Sequence, residues 1–172
     1  MIFTLKNLHV CAATLMLALS GSLALADGSG EHSHHQAMNA GAMGEASDFG
    51  KPGVATGVKR TIEISMGDNM RFTPDNIQIR QGETIRFTLK NTGATQHEMV
   101  LGTADDVREH AEMMKKMPNM QHTDANIVRV EPGKSGDIIW NFDLEGEFQF
   151  ACLMPGHREA GMTGSITVTP SM

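Results

Sequence analysis

The chain has 172 residues, with 14 Lys and Arg against 20 Asp and Glu, and a formal charge of −6 at pH 7 with His neutral. An acidic balance of this size argues against nucleic acid or an anionic membrane surface as a partner. Two Cys, fourteen Met, one Trp and no Tyr leave sulfur as the unusual part of the composition; methionine in such excess fills gaps in a core or, in an exported protein, supplies soft-metal ligands.

The N-terminal segment reads "MIFTLKNLHVCAATLMLALSGSLALADGSG". Lys6 precedes an apolar run over about 10–19, and small residues end in Ala24-Leu25-Ala26, the pattern of a secretory signal peptide spanning 1–26 and cleaved near Ala26. A membrane anchor needs roughly 18–20 apolar residues, whereas this run is broken by Ser20 and Gly21, so the expectation is export to the periplasm without membrane insertion. Cys11 lies within the apolar run rather than at a cleavage point, which gives no lipoprotein signal. Loss of Lys6 takes the formal charge of the mature chain to −7. It also leaves Cys152 as its one cysteine, so no intramolecular disulfide is available in a compartment that favours disulfides. A lone thiol there must be buried or occupied, and a metal does both.

Residues 27–57 carry Gly, Ala, Ser, His and Met with almost no bulky apolar side chains. Such a stretch buries too little surface to offset its ordering entropy, and is expected to form a flexible N-terminal arm. From residue 58 to 172 the texture is that of one domain. "RTIEISM", "NIQIR", "ETIRFTLKN", "HEMVLG", "NIVRVEPG", "SGDIIWNF", "EFQFACL" and "GSITVTP" are short runs rich in β-formers, bounded by Gly, Pro, Asn or Asp. In the third run Ile85, Phe87 and Leu89 alternate with Arg86, Thr88 and Lys90. About eight such strands imply an all-β sandwich or barrel. One short helical insert, "TADDVREHAEMMKKMP", interrupts them, with Thr103 as cap, Asp105 and Asp106 in its first turn, Lys115 and Lys116 in its last, and Pro118 as stop.

The last two strands frame "CLMPGHREAGM", in which Cys152, His157 and Met162 have the form C-x4-H-x4-M. A strand delivers the thiol, the Pro155-Gly156 loop turns the chain so that His157 faces the same point, and residues 159–161 return Met162. A second imidazole is available from His97, just after a Gly-containing turn in "NTGATQHEMVL". Two imidazoles, a thiolate and a weak thioether make a soft, nearly trigonal set, the composition of electron-transfer copper. Structural zinc takes four strong N or S ligands, and Met is not one of them. The competing reading is a small buried hydrophobic Cys with an unrelated surface His. Export, the single thiol, the ligand spacing and the β-architecture together favour the metal.

"GEFQFACLMPGHREAGMTGSITV", preceded by "NTGATQHEMVL", resembles the cupredoxin family of mononuclear type 1 copper proteins over roughly residues 58–169. The resemblance implies a Greek-key β-sandwich holding one type 1 copper through His97, Cys152, His157 and Met162. The ligand loop is similar to those of rusticyanin and auracyanin rather than that of plastocyanin. Together with the His/Met-rich arm and the helical insert, it makes the chain resemble the periplasmic copper-tolerance cupredoxins, the CopI-like group. One departure stands out: Glu98 follows His97 where many electron-carrying members have Asn or Ser, and its side chain lies either near the copper or out in solvent.

Two further segments offer metal donors. In the arm, "EHSHHQAM" presents His32, His34 and His35, with Met38 and Met43 beyond, either as auxiliary copper ligands or as an ordinary hydrophilic leader. In the insert, His110, Met113, Met114 and Met117 share one helical stripe that either traps Cu(I) or packs on the sandwich, while Met120 and His122 lie past Pro118. The expected function is periplasmic copper handling and tolerance with a redox-active Cu(I)/Cu(II) site. The alternative is a dedicated electron carrier between redox enzymes. The expected partners are copper ions and a redox or copper-trafficking protein, with the chain itself a monomer. No catalytic residues stand out, and the chain is too short for the additional domains of a multicopper enzyme, so it is not expected to be an enzyme.

Overall fold

A computed structural model describes residues 47–117, 120 and 123–171. The expected signal peptide, most of the expected arm with His32, His34, His35, Met38 and Met43, and also Pro118 and His122, lie outside the described residues. Among those described, ten strands and one α-helix succeed each other: β1 (Lys51–Pro52), β2 (Arg60–Gly67), β3 (Arg71–Thr73), β4 (Asn76–Arg80), β5 (Glu83–Asn91), β6 (His97–Gly102), α1 (Ala104–Lys116), β7 (Ile127–Val130), β8 (Ser135–Phe142), β9 (Gly146–Ala151) and β10 (Thr163–Thr169). They form two five-stranded sheets, ordered β1-β8-β5-β2-β3 and β4-β10-β9-β6-β7. This is the expected all-β sandwich with one short helix.

Alternation builds the core. Ile85, Phe87 and Leu89 of β5 and Ile138, Trp140 and Phe142 of β8 turn inward from one sheet, and Met99 and Leu101 of β6, Phe148 and Phe150 of β9 and Ile166 and Val168 of β10 meet them from the other. Edge-to-face ring pairs, Phe72 with Phe150 at 5.0 Å and Phe87 with Phe142 at 6.1 Å, fill the space between. Strand β6 is buried on both faces along its whole length. Its outward residue Val100 packs with Val107 and Ala111 of α1 and with Ala151 and Leu153, so the helix roofs the outer face of this sheet. Thr103 caps α1 as expected: its hydroxyl accepts from the Asp106 N–H, while the Asp106 carboxylate accepts from the Thr103 N–H, a complete capping box.

Residues 47–57 depart from the expected flexible arm. β1 pairs antiparallel with β8, placing Lys51 opposite Asn141 and Pro52 opposite Trp140. Phe49 is buried and stacks on Trp140 at 4.8 Å with planes 10° apart, and Trp140 Nε1 donates to the Phe49 carbonyl at 3.0 Å. One aromatic residue in a small-residue stretch is enough to fasten it, because burying a Phe side chain against an indole contributes about 2–3 kcal/mol.

Candidate metal centre

His97 opens β6, Cys152 follows β9, and His157 lies in the loop between β9 and β10. Their metal-binding atoms all lie within 4.8 Å of one another. The Nδ1 atoms of the two imidazoles are 3.2 Å apart, and Cys152 Sγ lies 3.3 Å from His157 Nδ1. His97 and Cys152 are fully buried and His157 is partly exposed. The cluster therefore sits at the rim of the core with one imidazole edge toward the surface.

The loop that carries three of the four expected ligands is held by its own backbone. His157 N–H donates to Met154 O, Met162 N–H to His157 O, and Cys152 N–H to Met162 O, at 3.0, 3.0 and 3.1 Å. These bonds fold residues 152–162 into a closed ring of chain. Met162 is fully buried at the point where that ring closes. Gly161 makes the closure possible: its φ of +100° lies in the left-handed region, and a Cβ there would come 2.8 Å from Arg71 Nη1. Arg71 in turn donates to the Ala160 carbonyl at 2.7 Å.

The protonation chemistry suits a metal. Burial pushes the Cys152 thiol from 9.0 up to about 11, although the Glu98 N–H, which donates to Sγ at 3.5 Å, opposes that rise. Burial first, and then the neighbouring His157, hold His97 below the ordinary imidazole range, so its ring is neutral and has a lone pair to give. A buried thiol beside two imidazole nitrogens is a costly arrangement for the bare protein. A soft cation that takes up the thiolate and both lone pairs removes that cost.

Glu98 is the site residue whose position was open in the sequence. It does not reach solvent. Its side chain is 1% exposed, and Oε2 accepts from Arg129 Nε at 3.2 Å and Nη2 at 3.0 Å, across the β6–β7 pair. Oε1 is buried without a hydrogen-bond partner among the described residues. The carboxylate lies on the outward face of β6, opposite in alternation to His97, while its backbone N–H faces the thiol. Sequence reasoning also missed Asp68, whose Oδ1 is 3.9 Å from His97 Nε2. The Ala94 N–H and the Thr95 hydroxyl are the main groups holding that carboxylate below the usual carboxylate range.

The Met stripe of the insert is divided by the fold. Met114 is buried with Val107 and Ala111 against the sheet, His110 and Met113 are partly exposed, and Met117 is 46% exposed at the helix end. Met120 is partly exposed beyond it. Packing accounts for Met114, and the remaining thioethers stand toward the surface. A groove of about 330 Å³ separates the helix from the ligand loop, with Met114 on one wall and Met154 on the other.

A two-sheet β-sandwich with a buried thiol and two imidazoles converging at one end defines a cupredoxin. Residues 58–169 match the sequence family described as copper binding proteins, plastocyanin/azurin family. The chain belongs to that family, and its cofactor is copper. It is 45% identical over 167 residues to the copper-resistant cuproprotein CopI of Rubrivivax gelatinosus, covering 95% of this chain and 99% of the relative. It is 32% identical over 134 residues to the protein of the same name from Vibrio cholerae serotype O1, covering 77% and 78%. Among solved structures, dithionite-reduced auracyanin from Roseiflexus castenholzii superposes with a TM-score of 0.56 at 30% identity, over 66% of this chain and all of that one. No helix among the described residues is long and apolar enough to cross a membrane.

Proposed function

We propose that the protein is a periplasmic copper-tolerance cupredoxin, not an enzyme, that holds one type 1 copper through His97, Cys152, His157 and Met162 and cycles it between Cu(I) and Cu(II). The observation that carries the reading is the convergence of the two imidazoles and the thiol within 4.8 Å at a buried, backbone-braced end of the sandwich. Thiolate and thioether stabilise Cu(I), and the imidazoles suit either oxidation state. A ligand set held by strands and a hydrogen-bonded loop moves little when the charge changes, which lowers the reorganisation that electron transfer requires. Copper resistance enters from the name of a relative that this chain matches over 95% of its length.

Export rests on the N-terminal pattern of Lys6, an apolar run and Ala-Leu-Ala. His32, His34, His35 in the arm, and His110, Met113, Met114, Met117, Met120 and His122 in the insert, are the auxiliary copper donors of this reading. The exposed end of the stripe at Met117 supports that role better than the buried Met114 does. The second reading, an electron carrier between redox enzymes, is favoured by the partial exposure of His157, which gives an imidazole edge to a docking partner.

One experiment separates the two. A copper-sensitive strain lacking its own copy is complemented with the wild-type chain, with Cys152→Ser, and with a chain that lacks residues 28–46 but keeps the signal peptide. Copper handling predicts that tolerance falls in both altered strains. An electron carrier predicts that only Cys152→Ser loses function, and tolerance unaffected by either change sinks the proposal.

A further inference from the structure

The β2–β3 turn, a feature with no counterpart among the eight strands read from the sequence, reaches from one sheet to ligand-bearing segments of the other. Asp68 in this turn accepts from Ala94 N–H at 2.8 Å through Oδ2, and from Thr95 N–H at 3.2 Å and Thr95 Oγ1 at 3.0 Å through Oδ1. Thr95 Oγ1 lies 3.4 Å from His97 Nε2, and Asp68 Oδ1 lies 3.9 Å from the same nitrogen. The opposite ring nitrogen, Nδ1, faces His157 and the thiol. Behind the imidazole the Thr95 hydroxyl is thus within reach of Nε2 and is itself held by the Asp68 carboxylate, while the opposite ring nitrogen looks into the copper centre. Gly93 carries no side chain where a Cβ would run into the Asp68 carboxylate. Asn91 ties the loop down by accepting from Gly93 N–H at 2.9 Å and donating to Thr95 O at 2.8 Å. Three residues further along the same hairpin, Arg71 holds Ala160 O, and so the loop between His157 and Met162.

We propose that Asp68 is a positioning residue of the copper centre: with Thr95 it fixes the His97 ring so that Nδ1 points at the metal, and its negative charge behind the ring favours Cu(II) over Cu(I). This rests on the reading of His97 as a copper ligand. Carboxylates behind metal-bound imidazoles fix the tautomer and raise ligand basicity, and their loss lowers metal affinity about 10- to 100-fold. A carboxylate charge near the ligand acts more strongly on the dication than on the monocation. Removing it therefore lowers the Cu(II)-to-Cu(I) affinity ratio and raises the reduction potential. A tenfold change in that ratio corresponds to about 59 mV for one electron.

The test uses the mature protein with Asp68→Asn and Asp68→Ala, each titrated with Cu(II) and with Cu(I) under a competing chelator. Thermal unfolding of the copper-free protein is recorded alongside. Asn keeps an acceptor for the Ala94 and Thr95 N–H groups and drops the charge, whereas Ala drops both. The expected result is a fall of about tenfold in the Cu(II)-to-Cu(I) affinity ratio for Asp68→Asn. Asp68→Ala should show at least that fall, together with a displaced thiolate-to-copper absorption band. If Asp68→Ala does not fold, Asp68→Asn alone decides. Wild-type ratio and spectrum in Asp68→Asn overturn the proposal, as does a loss of Cu(I) and Cu(II) affinity in equal proportion that follows unfolding. Failure of the wild-type protein itself to develop the intense band would instead overturn the ligand assignment on which the proposal rests.

Discussion

Arg129→Met is the most informative single change outside the copper ligands. In the native structure the Glu98 carboxylate is 1% exposed, and among the described residues its one bonded oxygen is held by two N–H groups of Arg129, itself 31% exposed. Removing the guanidinium leaves a buried negative charge with both oxygens unpartnered, on the strand that carries His97. Breaking a buried pair from one side costs about 3–5 kcal/mol, and the partial solvation of Arg129 argues for the lower end, about 3 kcal/mol. For a folded unit of this size that amounts to a fall in Tm of roughly 10 °C. The double variant Glu98→Met, Arg129→Met removes the charge as well and should recover most of the loss, because an apolar pair of similar volume has no charge left to desolvate. The assay is thermal and urea unfolding of the copper-free protein in wild type, both single variants and the double variant. A cost below about 1 kcal/mol for Arg129→Met, or a double variant no more stable than Arg129→Met, would refute the idea that Glu98 is a buried ion held by this one partner.

Three further outcomes follow from the same structure. Phe49→Ala should cost about 3 kcal/mol in urea unfolding, since it empties the stack on Trp140; a change within about 0.5 kcal/mol would return residues 47–57 to the flexible arm. Gly161→Ala forces a side chain into a φ of +100° beside the Arg71 guanidinium. It should cost about 1–3 kcal/mol and weaken copper binding, which equilibrium unfolding and a chelator competition would read. The buried thiol makes stability depend on alkaline pH. Its pKa rises from 9.0 in the unfolded chain to about 11 in the folded one, so between those values the native state holds more protons than the unfolded state. Stability of the copper-free protein is then full below about pH 9 and falls by about 2–3 kcal/mol as pH passes 11. Cys152→Ala should show no such fall, and neither should the copper-loaded protein, whose thiol is already deprotonated; unfolding curves across pH 8–11 check all three.

The eight longer strands were legible because each alternates one buried and one exposed face over five or more residues or is closed by a turn residue. β5 shows this most clearly, with Ile85, Phe87 and Leu89 inward. β1 and β3, of two and three residues, carry no period long enough to read. Their reality depends on tertiary partners: Trp140 for Phe49, and Phe150 for Phe72. The C-x4-H-x4-M spacing brought out three of the proposed ligands together, and the remaining imidazole followed from chemical need, because copper of this kind requires a second nitrogen. Asp68 was not legible. It lies 29 positions before His97, in a turn whose direction is fixed by a hairpin that the sequence does not announce. The burial of Glu98 was hidden for a related reason. Alternation alone assigns it to the outward face of β6, and neither the burial of that face nor the cross-strand pairing with Arg129 of β7 is announced by the pattern.

The measurement that bears most directly on the copper centre is a titration of the purified mature protein, following the visible thiolate-to-copper absorption while total bound metal is counted. The account predicts an intense band that saturates at one equivalent, is lost in Cys152→Ser, and is accompanied by further colourless copper retained by the auxiliary donors. A protein that binds copper without that band, or that keeps it in Cys152→Ser, would contradict the assignment of the His97, Cys152, His157 and Met162 site.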